Sequence, residues 1–224
     1  MESTVAASLK KLFDAERHAR HLHDELASAP RGDVLAAVRA AVTEATGGKG
    51  EVLEPDEASL RLVCVARLLG EFEGPEVVDG LIDILASEHP DARSEAGEQL
   101  QGLAFDRFRE VALGIERALG RLPQDSPALV ELPYVLVEVP EGGVLKLLER
   151  FLALESADAV AAAIEACVEV GDPAAVRALR PLAEDERKTA IVDDEGVDEV
   201  TIGDLAADAI ELLSGAGEDG AGEG

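Results

Sequence analysis

GDPAAVRALRPLAED, Gly171 to Asp185, and VTIGDLAADAIELL, Val200 to Leu213, read as two helices separated by an acidic insertion. Asp172 is placed to accept free backbone N–H groups at a helix start. Pro173 suits the first helical position, where its missing N–H costs nothing. Val176, Leu179, Leu182 and Ala183 then share one face, and Pro181 predicts a kink or an early stop. In the second segment Thr201 is the cap, and Ile202, Leu205, Ala206, Ala209, Ile210 and Leu213 form an apolar stripe. Asp204, Asp208 and Glu211 fall on another face. Neither helix can bury its stripe alone, so each requires neighbours.

The rest of the chain supplies variants of the same pair. Residues 3–28 predict one long helix in which Val5, Leu9, Leu12, Ala19 and Leu22 or Leu26 recur close to a heptad, interrupted by Glu16 and His23. It reads either as a cap over the first repeat or as a dimerisation helix that joins two copies of the chain. A second helix over 33–46 ends at the flexible break Gly47-Gly48-Lys49-Gly50, so residues 1–54 form an N-terminal section. From Pro55 the pattern is regular. Helices are expected over 55–70, from Pro75, from Asp91 as cap to Leu103, over about 106–122, 126–139 with Pro133 inside, 143–154, and from Ser156 as cap to Val170. Turn signals recur so that a helical hairpin returns about every 31 to 36 residues, the signature of an α-solenoid. The fold class is therefore all-α, with a repeat solenoid over 55–214 and an acidic insertion at 186–200. Residues 215–224, Gly and Glu with almost nothing to bury, predict a disordered acidic tail.

Composition narrows the function. Of 224 residues, 47% are hydrophobic but only 3% aromatic and none is Trp, so Ala, Leu and Val must fill the core. Lys plus Arg number 20 against 47 Asp plus Glu, a net charge of −27. That field repels phosphate backbones and anionic membrane surfaces, which excludes nucleic-acid and membrane binding and favours a Lys/Arg-rich protein partner. Acidity that serves solubility alone is the competing reading. Cys64 and Cys167, each in an apolar helical context, read as small buried hydrophobes rather than a disulfide framework, and a reducing cytoplasm is the expected compartment.

Two windows, GPEVVDGLIDILASEHPDARSEAGEQLQGL (Gly74–Leu103) and EACVEVGDPAAVRALRPLAED (Glu165–Asp185), resemble bacterial HEAT repeats of the type also found in phycobilin lyases. Arg93 after Asp91 and the small Ala96 match that pattern, while Asp106 to Val139, with Pro133 and Tyr134, departs from it. The resemblance implies a right-handed superhelix whose second helices line a concave face. It is nearly silent on function. On that assignment the face carries Glu95, Glu98 and Gln99, then Glu131, Tyr134 and Glu138, then Glu165 and Glu169, and last Asp204, Asp208 and Glu211. Such a ladder of carboxylates reads as a receiver for Lys or Arg side chains. Tyr134, the only tyrosine, is either a binding anchor or the filler of the bend at Pro133.

No residue set amounts to a catalytic site. His18 and His21 lie one turn apart with Glu25 beyond, but the segment is polar and reads as a solvated helix face rather than a metal site. The insertion carries Asp193, Asp194, Glu195, Asp198 and Glu199 without the alternate spacing of a Ca²⁺ loop, so a short hairpin or a mobile loop is expected. The repeated His-Glu dipeptides of HEAT-type iron hydroxylases are missing, as are nucleophile-elbow and phosphate-loop motifs. The expected function is a non-enzymatic adaptor without cofactor or metal. The alternatives are an enzyme subunit of bilin-lyase type acting on a small molecule and an acidic nucleic-acid mimic of immunity type.

Overall fold

The computed structural model describes residues 4–48, 53–137, 143–193 and 196–219. Among these the secondary structure is α-helical apart from one hairpin and a 3₁₀ turn at Arg180–Leu182. The helices are α1 (Thr4–Ala27), α2 (Arg31–Ala45), α3 (Pro55–Gly70), α4 (Pro75–Leu85), α5 (Pro90–Arg121), α6 (Ala128–Val137), α7 (Val144–Leu152), α8 (Ala157–Val170) and α9 (Ala175–Leu179). Strands β1 (Lys188–Asp193) and β2 (Gly196–Thr201) follow, then α10 (Ile202–Asp219). No helix among the described residues is long and apolar enough to cross a membrane.

Local chemistry sets the helix ends. Pro occupies the first turn of α3, α4 and α5, where the lost N–H is one of the free ones. Asp91 therefore sits inside the first turn of α5 rather than capping it, and its carboxylate faces the positive end of the helix dipole. Ser156 accepts from the Ala159 N–H at the start of α8, and Thr201 Oγ1 accepts from the Asp204 N–H at 3.0 Å at the start of α10. Gly171 ends α8 with φ of 68°, a left-handed cap that a side chain would strain. Asp172 accepts from the Ala174 N–H at 2.9 Å, which delays α9 to Ala175, and the 3₁₀ turn containing Pro181 ends that segment.

Several expectations shift. The helices expected on either side of residues 104–105 are one element, α5, bent at Arg107 (φ −143°, ψ 50°), because the intervening AFDRF offers neither Gly nor Pro to break it. α10 runs through Asp219, past the expected boundary at Ser214; the tail beyond it and Asp194-Glu195 lie outside the described residues. On α3 the buried side chains are Ala58, Leu62, Ala66, Leu68 and Leu69, whereas Leu60 and Cys64 are exposed. Helices α2, α4 and α5 all touch α3, and its buried face turns toward them, which leaves Leu60 and Cys64 one turn apart on the open side. Only Cys167 behaves as the expected buried thiol. α1 touches α2 and α3 and buries none of its residues.

Packing follows two series of neighbours. Arg67 of α3 pairs with Glu95 of α5 at 2.7 Å, and Arg93 of α5 with Glu131 of α6 at 3.9 Å. α8 packs against α6, and α10 against α8. In the other series Arg31 of α2 pairs with Glu76 of α4 at 3.4 Å, and Asp79 and Asp83 of α4 pair with Arg117 and Arg121 beyond the α5 bend. Arg150 of α7 then reaches Glu116 of α5 at 3.5 Å, and α7 touches α9. Between the series lies a core of Leu, Val, Ile and Ala, with Phe151 its largest fully buried side chain. Such exposed ion pairs add little stability each. The apolar burial holds the helices, and the pairs fix their register.

α5 approaches α4 closely where the two cross. A Cβ on Gly114 would run into Val78 Cγ1, and Gly114 is buried. Gly114→Ala is expected to destabilise the fold by about 1–3 kcal/mol through overpacking, despite Ala's higher helix propensity; a denaturant midpoint lowered at unchanged slope is the reading that checks it.

Candidate functional site

The helices expected to carry the carboxylate ladder do adjoin one another, in the order α5, α6, α8, α10. Along the first part of that row two acids, Glu95 and Glu131, are neutralised. Glu95 accepts from Arg67 Nε at 2.7 Å and from Gln99 Nε2 at 3.0 Å, and Glu131 faces Arg93. Sequence position alone could not reveal this, because Arg67 lies 28 residues from its partner.

The row changes character at α6 and α8. Tyr134 is half-buried and its Oη donates to Glu165 Oε2 at 2.5 Å. Burial, that hydrogen bond, and the charges of Glu165, Glu131 and Glu169 together push its phenol well above the ordinary value of 10. Tyr134 therefore stays a donor and holds one carboxylate oxygen, while Glu165 and Glu169, both exposed, stand one turn apart on α8. Among the described residues neither is ion-paired with a cation. Like charges at this spacing repel by a few tenths of a kcal/mol, a cost that a bound cation would relieve.

The remaining ladder residues do not join this cluster. Asp204 is occupied by Thr201 Oγ1 at 2.6 Å, and Asp208 and Glu211 are exposed on α10. Glu98 is exposed on α5, and Glu138 lies outside the described residues. The site reduces to Glu131, Tyr134, Glu165 and Glu169.

The protein has one tyrosine and no tryptophan, so phenolate absorbance reports Tyr134 alone. About one unit above the ordinary value, where a free phenol is roughly nine-tenths ionised, the folded protein is expected to show little phenolate. Glu165→Gln is expected to bring ionisation back toward the ordinary range, and an alkaline absorbance titration of the two proteins checks this.

The insertion beside α8 is an antiparallel hairpin, in register from Lys188 opposite Thr201 to Asp193 opposite Gly196. Its base is clasped by residues that were not singled out from sequence. Arg187 Nη1 donates to the Leu154 and Glu155 carbonyls at 2.8 Å each, while Nε and Nη2 hold Asp185. Thr189 Oγ1 donates to Asp158 of α8 at 2.7 Å. A Cβ on Gly203 would lie 2.9 Å from the Ala183 carbonyl oxygen, so the chain can close there only with glycine. The hydrogen bond from Arg187 holds the Asp185 carboxyl below the ordinary 3.8. A depressed folded-state value means the clasp stabilises fully above 3.8 and is lost as pH falls through the lowered value. Asp185→Asn is expected to lower the unfolding midpoint at neutral pH, with the gap closing in acid below that point.

Elsewhere, a cleft of about 1060 Å³ lies across α4, α5 and α7, lined in part by Arg107, Arg109, Arg117 and Lys146. The crowding of Arg between 107 and 121 in a cation-poor chain is the sequence signal for it. Asp106, Glu110 and Glu116 interleave with these cations and Asp79 occupies Arg117, so the cleft carries charges of both signs. No group of three or more His, Cys, Asp or Glu close enough to hold a metal occurs among the described residues, and His21 faces Glu25 at 3.4 Å on exposed α1.

No protein-family model matches the chain, and no curated protein matches it. Among solved structures it is similar to two engineered proteins crystallised by the Northeast Structural Genomics Consortium. One is 20% identical with a TM-score of 0.38, over 88% of this chain and 89% of that one. The other is 18% identical with a TM-score of 0.36, over 89% of this chain and 56% of that one. Likeness at that level carries nothing for the fold or the function of this chain.

Proposed function

We propose that this protein is a non-enzymatic adaptor, a HEAT-type solenoid working in the cytoplasm, that holds a Lys/Arg-rich segment of a partner protein against α6 and α8. The reading of a solenoid is supported by the two series of neighbouring helices and by the cross-helix ion pairs within each series. The binding reading is carried by one observation: Glu165 and Glu169 stand exposed without a cation beside a tyrosine that is half-buried and already oriented, in a row where Glu95 and Glu131 are held by arginines. Two carboxylates one turn apart accept a guanidinium or two lysines, and the Tyr134 ring supplies a rigid apolar wall. The hairpin, held at its base by Arg187, stands at the start of the same helix, about two turns before Glu165, and offers an edge to a bound segment.

Titration of a fluorescent Arg-rich peptide at low and at physiological salt tests this. Binding that weakens as salt rises supports the adaptor. No binding at low salt contradicts it. Capture of a nucleic-acid-binding protein in preference to the peptide would turn the reading toward a nucleic-acid mimic, and a chromophore copurifying with the chain would turn it toward an enzyme subunit.

A further inference from the structure

We infer that α1 is a self-association helix, and that two copies of this chain pair through it antiparallel. The helix has 24 residues and buries none of them. Val5, Leu9, Leu12, Phe13, Leu22 and Leu26 are all between 44% and 67% exposed, so six of the ten exposed large hydrophobics among the described residues lie on this one element. They are not scattered. Leu9, Glu16 and His23 fall on one seam row and Leu12, Ala19 and Leu26 on the other, with Phe13 and Leu22 flanking. Lys10, Lys11, Asp14, Arg17, His18, His21, Asp24 and Glu25 fall on the outer side.

Charge selects the occupant. α1 sets Lys10, Lys11, Arg17 and Arg20 against Asp14, Glu16, Asp24 and Glu25 and is neutral, in a chain that carries −27. A basic partner would be drawn to the acidic body rather than to this helix, and an anionic membrane surface finds no excess of cations on it. A second copy finds a surface it can approach without repulsion. The single carboxylate on the seam is already countered within the helix, since Arg20 Nε donates to Glu16 at 2.9 Å. The order of charges sets the direction. The N-terminal half carries Lys10 and Lys11 and the C-terminal end Asp24 and Glu25, so parallel helices would oppose like ends and antiparallel ones unlike ends. In the register that puts Leu9 against Leu26 of the second copy, Lys10 lies level with Glu25 and Lys11 with Asp24 of that copy. Leu12 meets His23, which is partly exposed with its Nε2 already covered within the chain, and Glu16 meets the small Ala19.

The seam is short. About 20 residues overlap, a strip roughly 30 Å long and about 10 Å wide on each helix. That is below the ~1,200 Å² of a standard interface, so the dimer is weak, forming at micromolar concentrations, and the acidic bodies oppose it until salt screens them.

Sedimentation equilibrium of the full chain over a concentration series tests this, with Leu12→Asp and Glu16→Leu run alongside. The expected result is a reversible dimer that tightens as salt rises, the opposite sign to peptide binding. Leu12→Asp is expected to weaken it at least tenfold at unchanged helicity, and Glu16→Leu to tighten it about tenfold by filling the seam. A wild-type chain that stays monomeric at all concentrations, or a dimer indifferent to both substitutions, overturns the inference. So does a dimer in which cysteines placed at 9 and 26 fail to cross-link while a pair of cysteines at 12 does.

Discussion

Glu165→Lys combined with Glu169→Lys is expected to abolish capture of an Arg-rich peptide while leaving the helical content unchanged. Both side chains are exposed on α8 and neither is ion-paired with a cation, so their replacement opens no cavity, and the one bond it removes is that from the half-buried Tyr134 hydroxyl to Glu165. Loss of that bond is expected to cost about 0.5–1.5 kcal/mol of stability. Binding responds differently, because each reversal removes an attraction and installs a repulsion against an arriving guanidinium. A loss of tenfold to a hundredfold, about 1.4 to 2.8 kcal/mol, is expected from the pair. The control must carry the same change of net charge at another place. Glu71→Lys with Glu88→Lys meets that need, since both are exposed and lie outside the α6 and α8 cluster. If the field of the whole chain did the binding, the two double variants would weaken it equally. Local recognition predicts that the control stays within about twofold.

Phe151→Ala is expected to cost about 3–5 kcal/mol, the range for truncating a fully buried aromatic. Phe151 is wholly buried on α7, where Val144, Leu147, Leu148 and Leu152 share its face. The chain holds only five Phe and no Trp, so small aliphatic side chains surround the site and cannot swing in to fill the void. Where the damage spreads is as informative as its size. In a row of hairpins stability is passed between nearest neighbours. Hydrogen exchange is then expected to quicken in α7 to α10 while α3 and α4 keep their protection. Uniform loss of protection across all helices would describe a single compact unit instead. Since α8 rests on α7, the same variant should also loosen the Tyr134–Glu165 bond and bring the phenol back toward its ordinary ionisation.

Much of the helical layout was legible because it is written in short-range chemistry. Pro55, Pro75, Ser156, Gly171 and Thr201 each perform a terminal role that needs no knowledge of the fold. The bend in α5 was not legible as a bend, since Arg107 leaves helical geometry with neither Gly nor Pro at that point. Which side chains α3 buries was not legible for a related reason: a helix with neighbours on several sides buries more than one face, and Leu60 looks as apolar in sequence as Leu62. The candidate site was legible as a set of helices but not as a set of charges. Among 47 acids, only coordinates separate Glu95 and Glu131, which have arginine partners, from Glu165 and Glu169, which have none. The Arg187 clasp was invisible because its acceptors are backbone carbonyls more than thirty residues away.

Zero-length carboxylate-to-amine cross-linking of a Lys-containing basic peptide to the full chain, read by mass spectrometry, asks most directly where a cation is received. Cross-links concentrated on Glu165 and Glu169, with Glu131 next, are the expected result. Cross-links scattered over the exposed carboxylates in proportion to their number, or gathered on α10 or the hairpin, would contradict it.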